Sequence, residues 1–267
     1  MPRPRHTPVQ VRVDDRRLFT ALLVGLVVLA WLTLWAWGQS PYARFLGHEE
    51  LGEVDIGLSG DSALVALAFV GGWTLMTFAM MLPTSLPLIT MFQTMTRRRE
   101  DRRLLAVLLV LGYVGVWALF GVIAHAGDLG LHRVVEQSAW LEDNAWAIGG
   151  VTFLLAGVYQ FTPLKYHCLD KCRSPLSFIT EHWRGGGERA AAFRLGLHHG
   201  LFCVGCCWSL MLLMFAVGAG NLGWMLALGT VMAVEKNMPW GRQVSAPLGL
   251  GLIALGAAVI AVSAPGA

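Results

Sequence analysis

Apolar runs alternate with short polar links along this 267-residue chain. Each run is about as long as a helix that crosses a lipid bilayer. The pattern predicts seven spans, at Leu18–Gly38, Ala63–Phe92, Leu104–Ala126, Trp146–Leu164, Leu195–Ala219, Asn221–Met238 and Ala246–Ser263. The sixth is short, and the seventh is rich in Gly and Ala, so six spans is the alternative count. The runs are too long for strands and lack the alternation of a lipid-facing barrel. Backbone groups in lipid must be satisfied within their own segment. The expected fold is therefore all-α, a polytopic transmembrane helical bundle. Pro83 and Pro87 fall inside the second run and should kink it, leaving carbonyls for neighbouring helices to satisfy.

The polar links set an orientation. Eighteen of the 20 Lys and Arg residues fall before the first span, in the links after the second, fourth and sixth, or, as Lys236, at the end of the sixth span itself, and only Arg44 and Arg133 fall on the other side. Basic residues stay cytoplasmic, so the N-terminus is expected inside and the C-terminus outside. Residues 1–17 then form a basic arm and 18–264 one membrane domain, with a cytoplasmic loop at 165–194. The stretch His48–Asp55 is acidic and lies outside, and Trp31, Trp35, Trp37, Trp140 and Trp146 fall at outer span ends, as an aromatic belt would. Asp15-Arg16-Arg17-Leu18-Phe19 resembles a twin-arginine export signal, but no small-residue cleavage motif follows Gly38, so the first span is expected to be retained.

Composition agrees. The chain is 55% hydrophobic and 14% charged, against about 25% charged for soluble domains. The net charge of +3 then reports topology, and no nucleic-acid partner is expected. The sequence carries no phosphate loop and no HExxH motif.

All five cysteines sit in two clusters: Cys168 and Cys172 at the mouth of the fourth span, and Cys203, Cys206 and Cys207 inside the fifth. A cytoplasmic setting argues against a disulfide framework. On a helix, His199, Cys203, Cys206, Cys207 and Met214 share one face within about 100°, while His198 points away. Neighbours three and four apart can converge on one ion. His199 and Cys206, about 10 Å apart along the axis, would need two ions or a stepwise path. Thiolates suit Cu(I) or zinc, and thioethers favour Cu(I). Met80 and Met81, at similar depth in the second span, are the candidate thioether partners. Gly196, Gly200 and Gly205 offer a surface for close helix approach. Glu235 and Lys236 close the sixth span, with snorkelling and a local ion pair as their ordinary use and a charge beside the cysteines as the alternative.

The ordered set Met80-Met81-Leu82-Pro83-Thr84-Ser85, Tyr159-Gln160-Phe161-Thr162-Pro163-Leu164-Lys165, Cys168-x-x-x-Cys172-Arg173-Ser174-Pro175, His199-Gly200-x-x-Cys203-x-Gly205-Cys206-Cys207-Trp208 and Glu235-Lys236 resembles a bacterial family of predicted metal-binding integral membrane proteins of unknown function. Some members of that family are labelled copper chaperone. The resemblance covers roughly Ala63 to Trp240 and implies metal binding in a bacterial plasma membrane. The expectation is a soft-metal protein, with copper as Cu(I) before zinc. It would transfer, store or deliver the ion, with a metallochaperone or a cuproenzyme as partner, rather than turn over an organic substrate. The alternatives are a membrane thiol-disulfide oxidoreductase and a non-catalytic assembly subunit.

Overall fold

The computed structural model describes residues 10–39, 60–183, 187–217 and 221–263. The acidic stretch at His48–Asp55, with Arg3, Arg5, Arg44 and Arg184, lies outside the described residues. The described chain is helical throughout: α1 (Gln10–Gly38), α2 (Gly60–Met76), a π-turn (Thr77–Met81), α3 (Leu82–Met95), α4 (Arg102–Glu136), α5 (Ala139–Asp143), α6 (Trp146–Tyr159), α7 (Pro163–Arg173), α8 (Pro175–His182), α9 (Glu188–Val217), α10 (Leu222–Asn237) and α11 (Ser245–Ser263), the last entered through a 3₁₀ turn at Gly241–Val244. The first helix begins within the segment read as an arm.

Among the described residues, five stretches are long and apolar enough to cross a membrane: Leu18–Gly38, Phe69–Met95, Arg102–Glu136, Glu188–Met214 and Gly241–Ser263. A sixth exists if α6 and α7, bent by 64°, act as one broken span. The count of seven is too high by one or two, and the reasons are local. Pro163 has no N–H to continue α6, and Thr162 instead caps α7 by accepting from the Lys165 N–H at 3.3 Å. The fourth run therefore stops at Tyr159 and turns. In the sixth run, Asn221 caps α10 by accepting from the Trp224 N–H at 3.2 Å, and Met238, extended before Pro239, ends it. The 16 residues between measure about 24 Å, short of a hydrocarbon core of about 30 Å.

Glycines set the tightest packing. A Cβ on Gly196 would land on the Leu109 carbonyl, one on Gly112 on the Phe193 carbonyl, and one on Gly200 would sit 2.8 Å from Val116 Cβ. Gly196 against Leu109, Gly112 against Leu197 and Gly200 against Val116 advance in the same sense, so α4 and α9 run parallel at backbone contact. The Arg99–Glu188 ion pair joins the link before α4 to the start of α9, so two of the basic links lie at one end. By contrast α6 and α11 are antiparallel, with Gly150 against Ile260 and Gly157 against Ile253.

The second run bends as its prolines require. Pro83 cannot donate to the Ala79 carbonyl, and Trp31 Nε1 donates to that carbonyl instead, at 3.1 Å. Trp31 thus serves inside the bundle rather than in an aromatic belt. Trp140 and Trp146 do pair with each other, their rings 6.5 Å apart.

Candidate metal centre

The π-turn decides which side chains of the second run reach the core. Neighbours on a regular α-helix are about 100° apart, so one of Met80 and Met81 would ordinarily face away. The wider turn at Thr77–Met81 takes up an extra residue, and both methionines are buried.

Cys203, Cys206 and Cys207 meet them from α9, all buried. The Cys206 and Cys207 thiols donate back to the Cys203 carbonyl at 3.1 and 3.0 Å. Cys207 Sγ also lies 3.7 Å from Met81 Sδ. Cys203 Sγ is 3.1 Å from the Tyr113 hydroxyl, which donates to the Met81 carbonyl at 3.2 Å.

The ammonium of Lys236 sits among these sulfurs. Its Nζ is 2.9 Å from Cys203 Sγ, 3.6 Å from Cys207 Sγ, 3.8 Å from Met81 Sδ and 3.4 Å from Thr84 Oγ1. Lys236 therefore does not snorkel, and it is not the partner of Glu235. Glu235 pairs instead with Lys165 at 2.8 Å and accepts from Ser245 Oγ at 2.6 Å, while Lys165 also reaches Gln160. Lys165 is fully buried. Two basic residues counted as a topology signal are thus inside the bundle, each held by groups of opposite or matching polarity, as buried charge requires. Arg173 donates to the Glu235 carbonyl and, at 2.9 Å, to that of Pro239, fixing the end of α10 against α7.

α7 brings the second cysteine pair to the first. Gly205 leaves room for Cys168, since a Cβ there would sit 2.6 Å from Cys168 Sγ. Cys172, at the end of α7, lies near enough to Cys206 for the two thiols to interact electrostatically. All five thiols are free, with Cys172 partly exposed and the other four buried.

His199 is placed differently from its expected role. Its Nε2 lies 3.1 Å from Ser85 Oγ, its ring stacks on Tyr113 with centroids 5.5 Å apart, and its buried Nδ1 has no protein partner. It borders the cluster one turn below Cys203. His198 is exposed, against the His182 ring, as its angle on the helix requires. Among the described residues no three His, Cys, Asp or Glu side chains converge on one point. Three sulfurs, one of them a thioether, surround the Lys236 ammonium: Cys203, Cys207 and Met81. Sulfurs bonded to one ion at about 2.3 Å can lie no more than about 4.6 Å apart, and the 3.7 Å between Cys207 and Met81 falls within that bound. Two soft anionic donors in reach of a thioether fit a monovalent soft ion better than a hard divalent one.

The sequence reading missed Tyr113, Thr84 and Lys165. Tyr113 carried one signal, a lone phenol midway along an apolar run. Lys165 looked like one more basic residue of a link.

A family model described as copper chaperone (PpoB2) matches residues 70–259. No curated protein and no solved structure matches the chain.

Proposed function

This chain belongs to the copper chaperone family, and from that footing we propose that it is a plasma-membrane protein that takes up Cu(I), holds it in the bundle and passes it to a copper-requiring protein. The observation that supports this most is the centre of Cys203, Cys207 and Met81, in which a monovalent cation, the Lys236 ammonium, is already surrounded by soft donors at 2.9–3.8 Å. Metal is bound by thiolates rather than thiols. With two thiolates and one Cu(I) the site carries one net negative charge, and the ammonium beside it supplies the opposite one.

The remaining thiols form the approach. Cys172 is the partly exposed member and lies near Cys206, and Cys206 is adjacent to Cys207 in sequence. An ion captured at Cys172 and Cys168 reaches the buried centre by exchange between neighbouring sulfurs, without crossing apolar surface as a bare charge. In this reading the bundle lies in a bacterial plasma membrane with its N-terminus cytoplasmic, and α7 and α8 shape the cytoplasmic mouth. A metallochaperone or a cuproenzyme is the exchanging partner.

The test is anaerobic titration of the detergent-purified chain with Cu(I) against a chromogenic competitor. The wild type is expected to withdraw copper from the competitor, and the triple variant Cys203→Ala, Cys206→Ala, Cys207→Ala to lose its tightest equivalent. A wild-type protein that withdraws none, with all five thiols freely reactive, overturns the proposal.

A further inference from the structure

Seven of the chain's 11 methionines, Met76, Met80, Met81, Met211, Met214, Met225 and Met232, lie in the same buried core as the α9 thiols. Burial of methionine is by itself ordinary, because its flexible side chain fills gaps. The distribution here is not that of a gap filler. Helices α1, α4, α6 and α11 contain no methionine at all. All seven come from the segments that surround Lys236: α2 with its π-turn, α9 and α10.

Their spacing is equally selective. On α9, Cys203, Cys207, Met211 and Met214 succeed one another at four, four and three residues, which is one continuous stripe, and none is more than 1% exposed. On α10, Met225, Met232 and Lys236 are seven and four residues apart and again share a face, with both methionines fully buried. Met80 closes the third side: a Cβ on Gly229, between the two α10 methionines, would lie 3.6 Å from Met80 Cγ. Met76, the last residue of α2, lies one turn before Met80. Met214 and Met225 are the members of their stripes nearest the α9–α10 link, and Cys203 and Lys236 the farthest. The thiols thus continue into a column of thioethers that leads away from Cys172.

Resting on the copper reading above, we infer that Met76, Met211, Met214 and Met225 form a second binding position for a monovalent soft ion, Cu(I), made of thioethers alone. It sits on the side of the thiol centre away from Cys172. Thioethers are soft donors that select Cu(I). They carry no proton at neutral pH, so occupancy of this position releases none, in contrast to the thiol centre, whose ligands must be deprotonated. It binds more weakly than the thiolates and is insensitive to pH.

The experiment uses the full chain in detergent, labelled with selenomethionine, with all five cysteines replaced by Ala and loaded anaerobically with Cu(I). Copper-edge X-ray absorption is expected to show selenium as a copper neighbour, with about one copper retained per chain, unchanged between mildly acidic and mildly alkaline buffer. Adding Met76→Leu, Met211→Leu, Met214→Leu and Met225→Leu, which nearly conserve volume, should abolish both. Should that variant fail to fold, Met211→Leu alone should still lower the selenium signal. Wild-type protein that binds copper while the cysteine-free variant holds none overturns this inference and leaves the thiol centre standing. Wild-type protein that binds none overturns the copper reading itself.

Discussion

At the residue scale the chemistry turns on Glu235 and Lys236, adjacent in sequence and pointing to different partners. The carboxylate goes to Lys165 and Ser245, and the ammonium goes to Cys203, Cys207 and Met81. Lys236→Met removes the counter-charge and leaves a loaded centre with net charge in a low-dielectric interior, which is costly. Cu(I) affinity should fall by roughly 10- to 100-fold, or about 1.4–2.8 kcal/mol, in the same competition titration, whereas Cys203→Ala should remove the centre. An unchanged affinity for Lys236→Met would show that the ammonium merely fills space. Glu235→Ala leaves Lys165 buried and unpaired, which typically costs about 3–5 kcal/mol. A large drop in the midpoint of unfolding, mostly recovered when Lys165→Met is added, is the expected pattern. The thiols and Met81 were legible in the sequence because soft ligands are conspicuous in apolar runs. The ammonium was not, since a lysine at a span end reads equally well as snorkelling, and only the Pro239 stop and the Arg173 clamp turn this one inward.

At the element scale the site depends on how closely α9 is approached. Gly196 and Gly200 admit α4, and with it Tyr113, and Gly205 admits Cys168 on α7. Gly205→Val should push α7 outward and separate Cys168 and Cys172 from Cys206. Its signature is faster maleimide labelling of Cys168, with the folded state retained, and unchanged labelling would mean that α7 is held elsewhere. Gly196→Val meets backbone rather than a movable side chain and should cost several kcal/mol, in line with overpacked cores, read as a loss of thermal stability. The three glycines could be read from their spacing as a contact face. The helix ends could not, because a hydropathy pattern sees neither the Thr162 and Asn221 caps nor the π-turn. Those features changed the span count and brought Met80 and Met81 into the core together.

At the scale of the whole molecule, direction of travel is more robust than the number of crossings. Since α4 and α9 are parallel and α6 and α11 antiparallel, in the proposed orientation α10 and α11 lead in and back out whether or not α10 traverses the full bilayer. A periplasm-dependent reporter enzyme fused after Ala267 should therefore be active, and a cytoplasm-dependent fluorescent one dark. The opposite pair of results would reverse the orientation drawn from the basic links. Among the described residues, Cys172 is the one cysteine that is not buried, while the other four and the seven core methionines are enclosed. If the proposed copper column opens only at Cys172, it empties in the reverse of the order in which it fills. If the two stable isotopes of copper are loaded in succession, the second should leave first, and the molecule would behave as a stack rather than a pipe.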